Sequence, residues 1–271
     1  MTAVVRGLER MGRSPSIRRV VFYGLLLALW ADVSRQGPWP SYLLPGPIEV
    51  GEALYWGLLE GQYLEATANS LARLVQGYAL ALVIGALVGA LIAAHPIIDD
   101  TVGSVVIGLQ ALPSVCWLPL AILWFGLNER AVIFVVVMGS LFSIVLSVEI
   151  GIRQTPKLVI NAARNLGLSG PRLYWQVVLP SALPTIAGGL KQGWAFAWRS
   201  LMAAELLFYT LSLGNLLQTG RDLNDVAAVM SVMLMIVAVG VVFGQLLFAP
   251  LERWIASRWG HGAGARVAAS W

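Results

Sequence analysis

The sequence predicts an all-α polytopic membrane protein that crosses the bilayer six times, and three observations predict it. Of its 271 residues 58% are hydrophobic and only 12% charged, whereas a soluble globular domain carries about 25% charged residues. With a mean hydropathy of +0.76, the apolar excess has to face lipid. Several stretches at or near the ~20 residues needed to cross the hydrocarbon contain no charge at all: 77–94, 101–128 and 226–251. The one long interruption, 153–184, is polar and basic but keeps a helical pattern. The 11 Trp suit interfacial anchoring. A single cysteine, Cys116, excludes an internal disulfide and any cysteine-rich metal site. The chain therefore reads as one transmembrane domain over 1–271, without linker or soluble appendage. Its spans are expected near 18–36, 69–94, 101–125, 131–149, 183–209 and 226–251.

The first span follows a tail holding Arg6, Arg10, Arg13, Arg18 and Arg19 against Glu9. Its apolar run, 20–31, is as short as that of a signal peptide. Trp30 and Asp32 stand where a peptidase needs small residues, so the span is read as uncleaved. Pro38, Pro40, Pro45 and Pro47 then interrupt helical structure. Pro47 opens a surface helix carrying Glu49 and Glu52, with Glu60 and Glu65 beyond. This acidic set is either a solvated face or a docking surface for an external protein.

The second span holds Gly85 and Gly89, a GxxxG pair that lets a neighbouring backbone approach closely. His95, Asp99 and Asp100 follow in a tight turn whose geometry does not suit a metal. In the third, Pro113 and Pro119 predict a kinked or broken helix. Broken helices in transporters line cavities, because freed backbone groups need polar partners. Gln110 and Ser114 are thereby candidates for a translocation path. A purely structural kink is the other reading. The fourth span is rich in Val and Ile.

The interruption, 150–182, reads as two short helices outside the membrane. Thr155 is placed to cap the first, with Pro156 at its first position. Val159, Ala162, Ala163 and Leu166 recur at i, i+3, i+4 and i+7, one helix face. Lys157, Asn161, Arg164 and Asn165 fall on the other. Gly167 sits where a left-handed cap belongs. A second short helix starts near Ser169, with Leu173, Tyr174, Val177 and Val178 on one side, and Leu179-Pro180 is expected to end it.

The fifth span carries Lys191, Arg199 and Glu205. Charges inside a span are costly and face a bundle interior or an aqueous route. Lys191 and Arg199 are about 80° apart around a helix, so both can border one path. Lys191, roughly 12 Å from the cytoplasmic start, can instead snorkel outward. Two readings stay open: a positive lining for an anion, which Glu205 would oppose unless paired, or structural ion pairs with other spans. Gly189 and Gly193 form another close-packing pair. Residues 211–227, with Arg221, Asp222 and Asp225, read as an outside turn region before the sixth span, where Gly240 and Gly244 repeat the GxxxG spacing.

Orientation follows from the basic residues. With both termini and the interruption inside, twelve lie inside: Arg6, Arg10, Arg13, Arg18, Arg19, Arg153, Lys157, Arg164, Arg172, Arg253, Arg258 and Arg266. Four lie outside, Arg35, Arg73, Arg130 and Arg221. That asymmetry obeys the positive-inside rule.

The interruption also carries a resemblance. Asn161-Ala162-Ala163, then Gly167, closing on Leu179-Pro180, resembles the EAA loop of ABC importer permeases. The longer run AARNLGLSG…VVLPSALPTIAGGL resembles the nitrate/sulfonate/taurine/bicarbonate-type branch of that family. YLLPGPIEVGEAL and LPSVCWLPLAILWFG resemble the same family's segments after the first span and in the third. One departure is visible: Asn161 stands where the family has a leading Glu.

The resemblance implies a type I (MetI-like) permease fold of six helices in the bacterial inner membrane, with both termini cytoplasmic. It implies an ATPase-coupling site at Asn161, Ala162, Ala163, Arg164, Asn165, Gly167 and Leu168. It implies as partners cytoplasmic ABC ATPase subunits, an extracytoplasmic substrate-binding protein, a second permease copy, and lipid. ATP and Mg would sit on the ATPase, and this chain would bind no cofactor. The transported solute would be a small one, with a lean to an anion such as nitrate, bicarbonate, taurine or an alkanesulfonate. Consistent with this, the chain lacks G-x-x-x-x-G-K-[ST], and its lysines, Lys157 and Lys191, lie in other contexts. H-E-x-x-H, G-x-S-x-G and a redox cysteine pair are also absent, so no enzyme is expected. The formal charge of +4 follows topology and suggests no nucleic acid. An ion-coupled transporter or channel acting without an ATPase is the alternative reading. It accounts for the charged and broken spans but leaves the interruption without a purpose.

Overall fold

A computed structural model of the chain describes residues 15–40 and 42–259. The helices, in chain order, are α1 Pro15–Gln36, α2 Pro47–Leu59 and α3 Gln62–Ala94. A bent pair follows, α4 Pro96–Gln110 and α5 Ser114–Phe125. Then come α6 Glu129–Arg153, α7 Lys157–Asn165, α8 Gly170–Leu173, α9 Leu179–Glu205, α10 Leu213–Asp222 and α11 Val226–Trp259. Arg6, Arg10, Arg13, His261 and Arg266 lie outside the described residues.

By length and apolar composition α3, α6 and α11 can each cross a membrane, and the α4–α5 pair makes a fourth if counted as one span. α1 and α9, at 22 and 27 residues, are long enough but interrupted by charge: Arg18, Arg19, Asp32 and Arg35 in one, Lys191, Arg199 and Glu205 in the other.

The chain divides into two compact units. One comprises the described residues up to Leu64 together with Leu216–Met235, the other Glu65–Asn215 with the chain from Ile236 on. In the first, the proline-rich link folds back on α1. Trp30 Nε1 donates to Pro45 O at 3.1 Å, and Ser34 Oγ to Leu44 O at 3.2 Å. Glu49 accepts from Gly46 N at 3.0 Å and so caps α2, which gives one of the four acids a local structural role.

In the second unit α6 is the central rod: 67% of its apolar window is buried, against 28% for α3 and 17% for α11. Its neighbours α3 and α9 reach it through glycines. A Cβ at Gly77, Gly85 or Gly89 of α3 would strike Val136, Ile144 or Val148, and one at Gly189 of α9 would strike Ser147. Backbone thus lies against side chain without an intervening Cβ. Leu74, Val132, Val135, Val136, Trp194 and Leu201 fill the space between these helices. On α11 the expected pair splits: Gly240 meets the Trp198 ring, whereas Gly244 has open space.

Four expectations are corrected. Thr155 does not cap α7; Pro156 does, accepting from Val159 N and Ile160 N, while the Thr155 hydroxyl is buried without a partner. Leu179-Pro180 does not end a helix. A π turn, Tyr174–Val178, joins α8 directly to α9. The wider turn takes up the missing donor and the bulk of the Pro180 ring. The fifth span stops at Glu205 rather than 209. The presumed turn at 211–227 contains α10, for which the signals were present. Ser212 Oγ accepts from Asn215 N at 3.2 Å as N-cap. Asn224, at φ 56°, closes the helix in the left-handed region. Asp225 then caps α11 through Ala228 N at 2.9 Å.

Candidate functional site

Two places in the second unit hold all but two of the predicted functional residues. The first is the elbow between α6 and α9. α7 closes in a full Schellman arrangement: Gly167 N donates to Arg164 O at 2.9 Å and Leu168 N to Ala163 O at 3.1 Å, with Gly167 at φ 88°. Gly170, at φ 54°, turns the chain again into α8. Leu173 and Val178 are buried and Tyr174 is half-buried, and that burial raises the Tyr174 phenol above its ordinary pKa. At its α6 end the elbow is clasped. Arg153 pairs with Asp99 at 2.7 Å and Glu149 at 3.4 Å, and donates to Ile92 O at 3.3 Å.

The apolar face that periodicity selects on α7 is mostly exposed. Of Val159, Ala162, Ala163 and Leu166 only Ala163 is buried, at 6% exposure, with Ile160 half-buried beside it. Leu158 and Leu166 stand out at 81% and 84% exposure. With Ala162 between them they form a stripe at i, i+4 and i+8. Asn161, Arg164, Asn165 and Gly167 are also exposed, and Leu168 is half-buried. A short stiff helix thus presents two large aliphatic side chains outward, flanked by amides and cations.

The second place is a cavity of about 370 Å³ at the break of the third span. α4 and α5 bend by 104° there. Pro113, at ψ 134°, leaves the helical region, and its carbonyl accepts from Cys116 N at 2.9 Å. Gln110 and Ser114 flank the bend and line the cavity. α6 adds Met138, Gly139, Phe142 and Ser143, and α9 adds Phe196 and Arg199. Gly139 lets the three walls converge, because a Cβ there would collide with Ser200 and touch Ser114. The Arg199 guanidinium lies 5.1 Å from the centre of the Phe196 ring, and its Nε donates to Ala195 O at 3.3 Å. Among the described residues no carboxylate lies within ion-pair distance of it.

The other two candidates are elsewhere. Lys191, exposed, pairs with the half-buried Glu252 of α11 at 2.8 Å. Glu205 is 0% exposed and does not border the cavity. It accepts from Ser70 Oγ at 2.7 Å, Arg73 Nη1 at 3.1 Å and Gly214 N at 3.2 Å. Arg73 extends the network to Glu129 and Thr210, each at 3.0 Å. The geometry is that of the structural ion pair, the second of the two readings the sequence left open. The sequence placed Arg73 with the outer segments and gave no sign of its partner. Met138, Phe142 and Ser143 were likewise missed as cavity wall, since nothing in a uniformly apolar span marks which face looks into a void.

Against this geometry stand the comparisons. Residues 63–257 match the family model described as binding-protein-dependent transport system inner membrane component. The bicarbonate transport system permease protein CmpB of Synechocystis sp. is 29% identical over 84% of this chain and 88% of its own length. The taurine transport system permease protein TauC of Escherichia coli is 29% identical over 73% and 74% respectively. A chain from an inward-facing structure of the MetNI methionine ABC transporter superposes with a TM-score of 0.55 at 19% identity, covering 74% of this chain and 97% of that one. That last likeness bears on the fold alone.

Proposed function

This chain belongs to the binding-protein-dependent transport system inner membrane component family and is a permease subunit of an ABC importer, and on that premise we propose how it is driven and what it moves. A separate cytoplasmic ATPase docks on α7. The observation that carries this is the pair Leu158 and Leu166, held 81% and 84% exposed on a rigidly capped helix. Large aliphatics on a stiff elbow fit an apolar groove, while Lys157 and Arg164 beside them set register and attraction. The loss of the family's Glu at Asn161 removes one charged contact and leaves cap and stripe intact. Closure of the ATPase pair pulls α7; the displacement crosses the capped turn at 166–169 and then follows the continuous helical run from Gly170 through the π turn into α9 to Arg199. A differential contact of α7 with the two ATPase states is what shifts the transporter between inward- and outward-open forms.

A second copy of the chain completes the translocation path, and a substrate-binding protein delivers the solute from outside. Both termini lie in the cytoplasm. The solute is a small anion, recognised by Arg199 with Gln110 and Ser114. Lys191 and Glu205, already neutralised, contribute no net charge to the path.

The test is co-purification of the ATPase with the affinity-tagged full chain. Leu158→Glu/Leu166→Glu is expected to lose the ATPase while eluting as the folded wild type, because both side chains are solvent-facing. Undiminished retention of the ATPase would remove α7 from the coupling role.

A further inference from the structure

We propose that the groove between α1 and the start of α2 holds a phospholipid whose headgroup carries a primary ammonium beyond its phosphate. The groove has a volume of about 560 Å³. Leu27, Ala28 and Ala31 of α1 and Ile48 of α2 make its apolar floor. Its charged residues are Arg35, at the end of α1, and Glu49, in the first turn of α2. The frame is preformed, because Trp30 Nε1 and Ser34 Oγ of α1 donate to the carbonyls of Pro45 and Leu44 in the link. The groove shares no lining residue with the Arg199 cavity.

Depth points to a lipid. Leu27 and Arg35 are eight residues apart, about 12 Å along a helix, which is most of one leaflet of a ~30 Å hydrocarbon core. Trp39 and Tyr42 in the link, and Tyr55 and Trp56 on α2, are exposed, and such rings settle at headgroup level. The groove thus runs from that level into the acyl region. That course suits a hydrocarbon chain and not a water-soluble solute.

Charge selects the headgroup. Arg35 and Glu49 line one groove, yet among the described residues neither enters an ion pair. Glu49 uses one carboxylate oxygen to accept from Gly46 N at 3.0 Å, which leaves its other oxygen to a ligand. Opposite charges held apart in one groove fit the two ends of a phosphate-to-ammonium head. Outward along α1 the apolar floor comes first and Arg35 last, the order of acyl chain and phosphate. Glu49 also borders an adjoining hollow of about 450 Å³ that Asp225 lines, a second acid for the ammonium end. An anionic lipid without the amine meets Arg35 and is then opposed by both acids. On the orientation proposed above the groove opens to the outer leaflet. The choice of lipid does not depend on that orientation, on the ATPase or on the solute.

The test is native mass spectrometry of the full chain, released from nanodiscs of equal parts phosphatidylethanolamine and phosphatidylglycerol with matched acyl chains. The lipid retained to the highest collision energy is expected to be phosphatidylethanolamine, in about fivefold excess, the scale of one charge contact near a membrane surface. Glu49→Gln keeps an oxygen to cap α2 but removes the charge, so it should bring the two lipids near parity. Arg35→Gln should lower retention of both. Ala31→Phe, which fills the floor, should do the same. Glu60→Gln, an exposed acid that lines neither hollow, should change nothing. Should one of the three groove variants fail to fold, the other two carry the comparison.

Equal retention of the two lipids by the wild type overturns the proposal, as does an excess of phosphatidylglycerol. An excess of phosphatidylethanolamine that the groove variants leave unchanged overturns it too. So does a permease dimer that Ala31→Phe splits without altering lipid retention, because the groove then belongs to a second copy. None of these outcomes alters the expected co-purification of the ATPase.

Discussion

Glu205 shows how a charge inside a span is tolerated. Its carboxylate is fully enclosed, yet Ser70, Arg73 and the Gly214 amide supply donors from two other elements. Gly214 is required for the approach, because a Cβ there would collide with the Glu205 backbone and Cβ. Removing Glu205 leaves the buried Arg73 with Glu129 as its remaining carboxylate, so Glu205→Ala is expected to destabilise by about 3 kcal/mol, the low end for a broken buried pair. The double variant Arg73→Met/Glu205→Leu should recover much of that loss. Thermal unfolding of the purified variants in detergent checks both, and an unstable double variant with a wild-type-like Glu205→Ala would contradict the network. Gly167 offers a second residue-scale test. Its φ of 88° costs a non-glycine residue about 1–2 kcal/mol, less for Asn. Gly167→Val should therefore reduce ATP-dependent uptake more than Gly167→Asn, as measured with the complete transporter.

Helix by helix, the architecture depends on glycines placed where rods cross. Gly189 of α9 lies against Ser147 of α6, whereas Gly244 of α11 faces open space. Gly189→Leu is expected to cost about 1–3 kcal/mol or more through overpacking, and Gly244→Leu to leave the melting temperature near that of the wild type. These positions also show what could be read from the sequence. The long uncharged stretches, the broken third span, the left-handed Gly167 and the Gly85/Gly89 pair were legible because each is a local signal with one physical meaning. α10 was missed although Ser212, Asn224 and Asp225 mark both its ends and Leu213, Leu216 and Leu217 recur at i, i+3 and i+4, since ten residues with two glycines and a polar C-terminal half read first as a turn. Pro180 was read as a stop because a single sequence does not show that a π turn precedes it. Which part of α7 is exposed is not written in its period. Period alone gives the stripe's width, not which neighbour covers it, and in the structure Ile160 and Ala163 turn inward while Val159, Ala162 and Leu166 stay exposed.

At the scale of the whole molecule, the proposed lever has the elbow 150–182 at one end and the cavity lined by Arg199 along α9. The run from Gly170 through the π turn to Glu205 is helical throughout, and the proposed push on α7 enters it through the hydrogen-bonded turn at 166–169. Arg199→Gln is expected to abolish most uptake of the anion while the ATPase stays bound, and Lys191→Gln to retain it, as read by ATP-dependent accumulation in proteoliposomes containing the full transporter. The measurement that bears most directly on the lever is the sidedness and protection of α7. In a Cys116→Ser background, which removes the single native thiol, Asn165→Cys is treated with a membrane-impermeant maleimide. The account predicts no labelling in intact spheroplasts, ready labelling in inverted vesicles stripped of the ATPase, and protection when the ATPase is added back. Labelling from the outside of intact spheroplasts, or labelling in inverted vesicles that the ATPase leaves unchanged, would contradict it.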